Sequence, residues 1–246
     1  MKQYGLIGSP LTHSFSKKYF SQKFEQENNT TSSYELYAIE HIDLLTELIE
    51  NTPKLRGLNV TIPYKEEVMN YLTEIDAKAK EIGAVNTIKI STDKKSLKGY
   101  NTDYEGFKRS LKPFLATHHE RALILGTGGA AKTVKFVLNE LNIHCLMVSR
   151  NPKNEDEIAY DAVNNYVMKH HQIIVNTTPT GTSPNIKECP AIDYENLSSK
   201  HLLYDLVYNP EETMFLKKGK EKGCIAINGL QMLKIQAEKA WEIWNS

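Results

Sequence analysis

At 246 residues, with 40% hydrophobic and 24% charged, the chain is long enough for one large domain or two modest ones, with a core that needs no staples. Its 30 Lys and Arg balance 30 Asp and Glu, so it lacks the basic excess of a polyanion binder, and no nucleic-acid partner is expected. Cys145, Cys189 and Cys224 form no CxxC and no zinc spacing, which argues against a disulfide framework or a metal site and fits a reducing, cytoplasmic setting.

The first residues, MKQYGLIGSPLTHSF, turn polar after a short apolar run, so neither a secretory signal nor a membrane span is expected. Tyr4–Gly8 reads as a strand, followed by a helix from about Ser16 with Tyr19, Phe20 and Phe24 on one face. Tyr34–Ile39 reads as a strand, His41–Glu50 as a helix and Leu58–Ile62 as a strand. Pro63 then suits the first turn of a helix running to about Ile82. Thr87–Ile90 and Ser96–Gly99 form a hairpin around Asp93, and a helix near Tyr104–Leu115 leads into the polar link Ala116–Glu120. Beyond it, Arg121–Leu125 is an apolar strand, Gly126–Gly129 a turn, and a helix continues to about Leu141. His144–Val148, Ile173–Asn176, Leu202–Val207 and Cys224–Ile227 are further strands, with a helix over Glu155–Lys169 and an amphipathic end over Gly229–Trp244. Strands alternating with helices predict an α/β fold with parallel sheets, here two α/β domains with a cleft between them. Small ligands favour such a cleft.

The run GTGGAA, Gly126 to Ala131, follows a strand and opens a helix. Gly126 and Gly128 permit a tight turn and close approach of a pyrophosphate, while the helix N-terminus offers N–H groups to it. Dinucleotide binding is expected there. NAD enzymes of this kind carry an acid about 20 residues on, for the ribose 2′-hydroxyl. Here the next strand ends Val148-Ser149-Arg150-Asn151 without one. Arg150, with help from Lys153, suits a 2′-phosphate, so NADP is expected rather than NAD.

Polar residues also gather at strand ends in the first half: Ser14 and Ser16 in THSFS, Thr61 and Lys65 in NVTIPYKE, Asn86 in GAVNT, and Asn101–Asp103 in GYNTD. Each has a plain structural reading as a cap, a turn former or a surface ion pair. Together they cluster at the edge where open α/β sheets bind ligands.

These segments carry a resemblance. GSPLTHSFS, NVTIPYKE, GAVNT, GYNTDYEGF, LGTGGAAK, the Ser149-Arg150 pair, YDLVY and GLQMLKIQA, in that order, resemble the shikimate dehydrogenase family over almost the whole length. Thr127 stands where the family often has Ala, and Ser149 where it often has the longer Asn. The resemblance implies NADPH-dependent reduction of 3-dehydroshikimate to shikimate, in aromatic amino-acid biosynthesis. By motif position it implies that Ser14 and Ser16 hold the substrate carboxylate, and that Thr61, Asn86, Asp103, Tyr208 and Gln236 bind ring hydroxyls and the C3 oxygen. Lys65 is implied as the catalytic residue, paired with Asp103. For the cofactor it implies Gly126, Thr127, Gly128, Gly129 and Ala130 at the phosphates, with Ser149, Arg150 and Asn151 around the adenosine phosphate. Leu206 and Gly229 are implied at the nicotinamide.

The chemistry agrees: hydride arriving at a carbonyl leaves an alkoxide, and a Lys ammonium offers both charge and a proton. The domains implied are a substrate domain, 1–103 plus 229–246, and a Rossmann-type NADP domain, 104–228. At this length no fused dehydroquinase domain is expected. The oligomeric state, monomer or homodimer, is left open. Two alternatives are an NAD-using quinate/shikimate dehydrogenase and a non-catalytic NADP- or shikimate-binding sensor. The pairs His118–His119 and His170–His171 lack metal spacing and are expected to face solvent. Trp241 and Trp244 are expected to pack the last helix onto the first domain.

Overall fold

Strand β1 (Lys2–Gly8) alternates its side chains between two apolar layers, which anchors the first half of the chain in a computed structural model describing residues 1–11 and 14–246. Helix α1 (Phe15–Gln26), β2 (Ser32–Ala38), α2 (Leu44–Asn51) and β3 (Leu55–Val60) follow. Next come β4 (Glu74–Ile75), α3 (Ala77–Ile82), the hairpin β5 (Thr87–Ile90) and β6 (Leu97–Tyr100), and α4 (Thr102–Leu111). Their sheet has the order β2-β1-β3-β5-β6-β4. It is not the parallel sheet expected. β1 runs parallel to β2 and β3, but β5 is antiparallel to β6, as the expected short hairpin requires, and also to β3.

The single helix expected from Pro63 to Ile82 is instead a 3-10 turn over Glu67–Tyr71, then β4 and α3. Thr73 N–H donates to Leu97 O and Asp76 N–H to Gly99 O, so this backbone is committed to β6. Asp76 then starts a new helix by accepting from Lys78 N–H at 3.1 Å.

One face of this sheet covers Ile7, Leu45, Ile49, Leu55, Leu58 and Ile88. The other covers Tyr4, Phe20, Phe24, Tyr34 and Trp244. As expected, the C-terminal helix packs here: Trp244 stacks on Tyr4 at 4.8 Å, Trp241 meets Tyr4 edge-on at 5.3 Å, and Trp244 Nε1–H donates to Ile88 O at 2.9 Å. Gly57 of β3 makes room for this indole, since a Cβ there would lie 2.2 Å from Trp244 Nε1. Gly57→Ala is therefore expected to destabilise the fold by roughly 1–3 kcal/mol through overpacking. Denaturant unfolding reads this, and an unchanged midpoint would show that the helix yields without cost.

In the second half, β7 (Arg121–Leu125), α5 (Gly129–Glu140), β8 (His144–Ser149) and β9 (Glu157–Ala159) are followed by α6 (Asn165–His170) and β10 (Ile173–Asn176). Then come β11 (Leu202–Asp205), α7 (Met214–Glu221), β12 (Ile225–Ile227) and α8 (Leu230–Asn245). This sheet is wholly parallel, β12-β11-β10-β7-β8-β9. Counted within the unit, the strands read third, second, first, fourth, fifth, sixth, the order of dinucleotide-binding folds. The helix expected over Glu155–Lys169 is broken here as well. Glu157–Ala159 joins the sheet beside β8, and Asn164 Oδ1 caps the shorter α6 by accepting from Val167 N–H at 3.1 Å.

The chain divides into two compact units, Met1–Asp103 with Gln236–Ser246, and Tyr104–Ile235. The divisions fall inside α4 and α8, so residues 229–235, expected with the first domain, belong to the second unit. His119 also departs from expectation. It is buried, with its Nδ1 accepting from Ala116 N–H at 3.0 Å, and burial lowers its pKa. His171 is partly buried, whereas His118 and His170 are exposed.

Candidate active site

In the first unit, Lys65 lies in the turn after β3 and Asp103 on the first turn of α4. Their side chains meet, Lys65 Nζ to Asp103 Oδ2 at 2.6 Å, with the side chains 17% and 8% exposed. A pair this buried has lost most of the water that weakens surface ion pairs. The backbone holds the lysine turn in place: Val85 N–H donates to Lys65 O at 2.7 Å, and Asn86 N–H to Tyr100 O at 3.0 Å.

Beside the pair runs a buried polar network. Asn86 Oδ1 accepts from Thr102 N–H at 2.7 Å, which ties the start of α4 to β5. Asn86 Nδ2 donates to Thr102 Oγ1 at 3.0 Å, and Thr102 Oγ1 lies 3.3 Å from Gln236 Oε1 on α8. Further along, Tyr34 OH donates to Asn59 Oδ1 at 2.8 Å and Asn59 Nδ2 to Thr87 Oγ1 at 3.2 Å. Asn59, Asn86, Thr87, Thr102 and Gln236 are all buried.

Ser14 caps α1, its Oγ accepting from Lys17 N–H at 3.2 Å. Ser16 is hydrogen-bonded to the Tyr34 hydroxyl, whose pKa burial raises. Thr12 and His13 of THSFS lie outside the described residues. Thr61 follows β3, its N–H donating to Ile7 O at 3.0 Å. The first unit therefore contains Ser14, Ser16, Thr61, Lys65, Asn86, Asp103 and Gln236, whereas Tyr208 belongs to the second unit, half-buried after β11. A groove of about 560 Å³ lined by Ser9, Glu40, Pro63, Tyr64, Glu67 and Tyr71 lies on the first unit and includes none of the candidate residues. The sequence reading included Thr102 within Asn101–Asp103 of GYNTD but gave it no role of its own.

In the second unit the glycine loop connects β7 to α5. Gly126 has φ +113°, a conformation side chains rarely adopt, and a Cβ there would lie 2.7 Å from Thr177 Oγ1. Gly128 is the N-cap of α5 without a side-chain cap, and a Cβ there would meet nothing within 4 Å. The start of this 12-residue helix thus has no side-chain cap and open space beside Gly128, which fits a pyrophosphate. Thr127 is exposed, with Gly129 and Ala130 half-buried behind it. At the end of β8, Ser149 Oγ accepts from Asn151 N–H at 3.2 Å, and Arg150 is exposed. Two of the three acids that follow are engaged, Asp156 by Lys135 and Glu157 by Lys153 N–H at 2.8 Å, while Glu155 is exposed. The loop therefore keeps an exposed guanidinium, which fits a 2′-phosphate.

Leu206 and Gly229 sit on neighbouring turns, with Gly229 N–H donating to Val207 O at 3.2 Å. Behind them Asp205, fully buried, accepts from Asn176 Nδ2 at 2.9 Å, Val207 N–H at 3.0 Å and Thr213 Oγ1 at 2.6 Å. Sequence reading missed this hub, which YDLVY contains. Burial pushes the Asp205 carboxyl up to about 6, against those three hydrogen bonds. The folded chain then holds the proton more tightly than the unfolded one. The resulting stabilisation is complete below about pH 4 and is lost as pH rises through about 6. Asp205→Asn is expected to abolish this slope, so the wild-type-minus-variant unfolding free energy should fall by on the order of 1–3 kcal/mol from pH 4 to 7. Parallel profiles would contradict it.

Among the described residues, no group of three or more His, Cys, Asp or Glu could hold a metal ion, and no helix is long and apolar enough to cross a membrane.

Comparison with known proteins adds the following. Residues 6–88 match the family model of the shikimate dehydrogenase substrate binding domain. The chain is 36% identical over 259 residues to the shikimate dehydrogenase (NADP(+)) of Methanococcus aeolicus, covering 99% of this chain and 91% of that protein. It is 37% identical to the crystal structure of shikimate dehydrogenase 1 from Peptoclostridium difficile, with TM-score 0.86 and coverage of 100% and 92%. It is 30% identical to the Thermus thermophilus shikimate 5-dehydrogenase solved with NADP(H) and shikimate, with TM-score 0.85 and coverage of 99% and 93%.

Proposed function

Because the chain belongs to the shikimate dehydrogenase family and is an NADP-dependent oxidoreductase, we propose that its first unit binds the substrate and its second the cofactor. The reaction is the reversible reduction of 3-dehydroshikimate to shikimate, a step toward the aromatic amino acids. The observation that carries the site assignment is the buried Lys65–Asp103 pair, 2.6 Å apart, beside the Asn86–Thr102–Gln236 network.

Residues of the glycine loop, Gly126 to Ala130, would hold the phosphates, with Ser149, Arg150 and Asn151 at the adenosine phosphate and Leu206 and Gly229 at the nicotinamide. NADPH, when bound, supplies the hydride that the ketone takes up. Lys65 donates a hydrogen bond and then a proton to the oxygen that gains charge. Asp103 accepts from Lys65 and keeps its ammonium aimed. Ser14 and Ser16 bind the ring carboxylate through their hydroxyls, and Thr61, Asn86, Tyr208 and Gln236 bind the ring oxygens. In the oxidative direction Lys65 takes the alcohol proton back.

The three cysteines are free thiols, which supports a reducing compartment, the cytoplasm. The test is formation of NADPH from NADP+ on adding shikimate, with quinate as the comparison substrate. Turnover of shikimate well above quinate is expected; equal rates, or none, would contradict the assignment.

A further inference from the structure

We infer that Thr102 is a positioning residue that turns the amides of Asn86 and Gln236 so that both offer N–H donors, not carbonyl oxygens, to the substrate. The inference deepens the substrate-binding reading above and rests on it.

Counting protons along the network leads to it. A backbone N–H can only donate, so the Thr102 N–H at 2.7 Å identifies the atom it meets as Asn86 Oδ1. The other amide atom, Nδ2, then donates to Thr102 Oγ1 at 3.0 Å. On the far side, Tyr34 OH donates to Asn59 Oδ1 at 2.8 Å, so Asn59 Nδ2 is the donor to Thr87 Oγ1 at 3.2 Å. With that bond accepted, the Thr87 hydroxyl proton goes to Asn86 Oδ1, 3.2 Å away, or to Thr102 Oγ1, 3.1 Å away. Asn86 Oδ1 also lies 3.1 Å from Thr102 Oγ1 and already accepts from the Thr102 N–H, and a carbonyl oxygen usually takes two donors. Giving the Thr102 hydroxyl proton to Gln236 Oε1, at 3.3 Å, is the arrangement that leaves neither buried amide oxygen without a donor.

The outcome is directional. Gln236 spends its oxygen on Thr102, and among the described residues its Nε2 has no protein acceptor. Asn86 spends its oxygen and one N–H, keeping the second N–H. Lys65 is also a donor, with one of its three N–H groups on Asp103. Asp103 is the acceptor of the set. A ligand that fits this pattern presents several oxygens as acceptors and one hydroxyl as a donor, as a polyhydroxylated ring does. Thr102 touches none of this ligand in the scheme; it acts through the two amides.

The experiment measures shikimate KM, NADP+ KM, kcat and melting temperature for Thr102→Val, Thr102→Ser, Asn86→Ala and Gln236→Ala in the full chain. Thr102→Val keeps the shape, removes the hydroxyl and frees Gln236 to rotate. It is expected to raise shikimate KM about 5- to 50-fold with NADP+ KM unchanged. Thr102→Ser restores the hydroxyl and should return shikimate KM to within about twofold of the native value. If Asn86→Ala and Gln236→Ala raise shikimate KM but Thr102→Val does not, the positioning role is overturned while the binding reading stands. If neither alanine variant moves shikimate KM, the binding reading falls and the inference with it. A Thr102→Val that loses melting temperature and raises both KM values alike would mark a structural role only. Should Thr102→Val not fold, a Thr102→Ser with shikimate KM raised as far as in Gln236→Ala overturns the inference, and a near-native one supports it.

Discussion

Lys65→Ala is expected to turn over at least about 10³-fold more slowly than the native enzyme, with NADP+ affinity within about twofold. Two losses combine in that figure. The developing oxygen charge loses its ammonium, and the proton that completes the alcohol loses its carrier. Asp103 sits 2.6 Å from Lys65 with only 8% of its side chain exposed, so the variant also strands a buried carboxylate. Breaking a buried pair can cost about 3–5 kcal/mol of stability, and the melting temperature has to be followed alongside the rate. Lys65→Arg separates the two roles. Arginine keeps the charge but holds its proton too tightly to give it up. It should therefore stay close to Lys65→Ala in kcat. Recovery to near-native turnover by Lys65→Arg would show that charge alone suffices.

Arg150→Ala is expected to raise KM for NADPH about 10- to 100-fold while leaving KM for NADH nearly unchanged. The two cofactors differ only in the 2′-phosphate, so the ratio isolates the contact. Arg150 is exposed at the end of β8, and Asp156 and Glu157 nearby are engaged by Lys135 and by Lys153 N–H. Among the described residues no carboxylate forms an ion pair with its guanidinium. Because the site is open to solvent, added salt should narrow the NADPH advantage in the native enzyme and leave the variant flat. Equal losses with both cofactors would contradict the assignment.

The strand pattern and the glycine loop were legible because their signals are local. RALIL, IIVN and LLYD are unbroken apolar runs, as strands covered on both faces require. The loop after RALIL carries glycines where the backbone needs them, Gly126 at φ +113° among them. The breaks at 63–82 and 155–169 were not legible, because apolar spacing alone cannot say that a sheet edge will take the backbone. Asp76 and Asn164, each a good N-cap, were the available signals that a shorter helix starts there. Helix α7 was likewise announced by Thr213, whose Oγ1 accepts from Leu216 N–H at 3.3 Å, ahead of the apolar Met214–Leu216. The Lys65–Asp103 contact spans two separate elements, and no spacing rule joins them; resemblance alone suggested the pair. The roles of Thr102 and Asp205 depend on side-chain hydrogen bonds between segments far apart in sequence, which exist only once the chain has folded.

The most direct test of the whole account is the rate of NADPH oxidation on adding 3-dehydroshikimate, run beside NADH and beside 3-dehydroquinate. Rapid oxidation of NADPH with 3-dehydroshikimate, far above either substitute, is the expected result. Comparable rates with NADH or with 3-dehydroquinate, or no turnover while NADPH still binds, would contradict it.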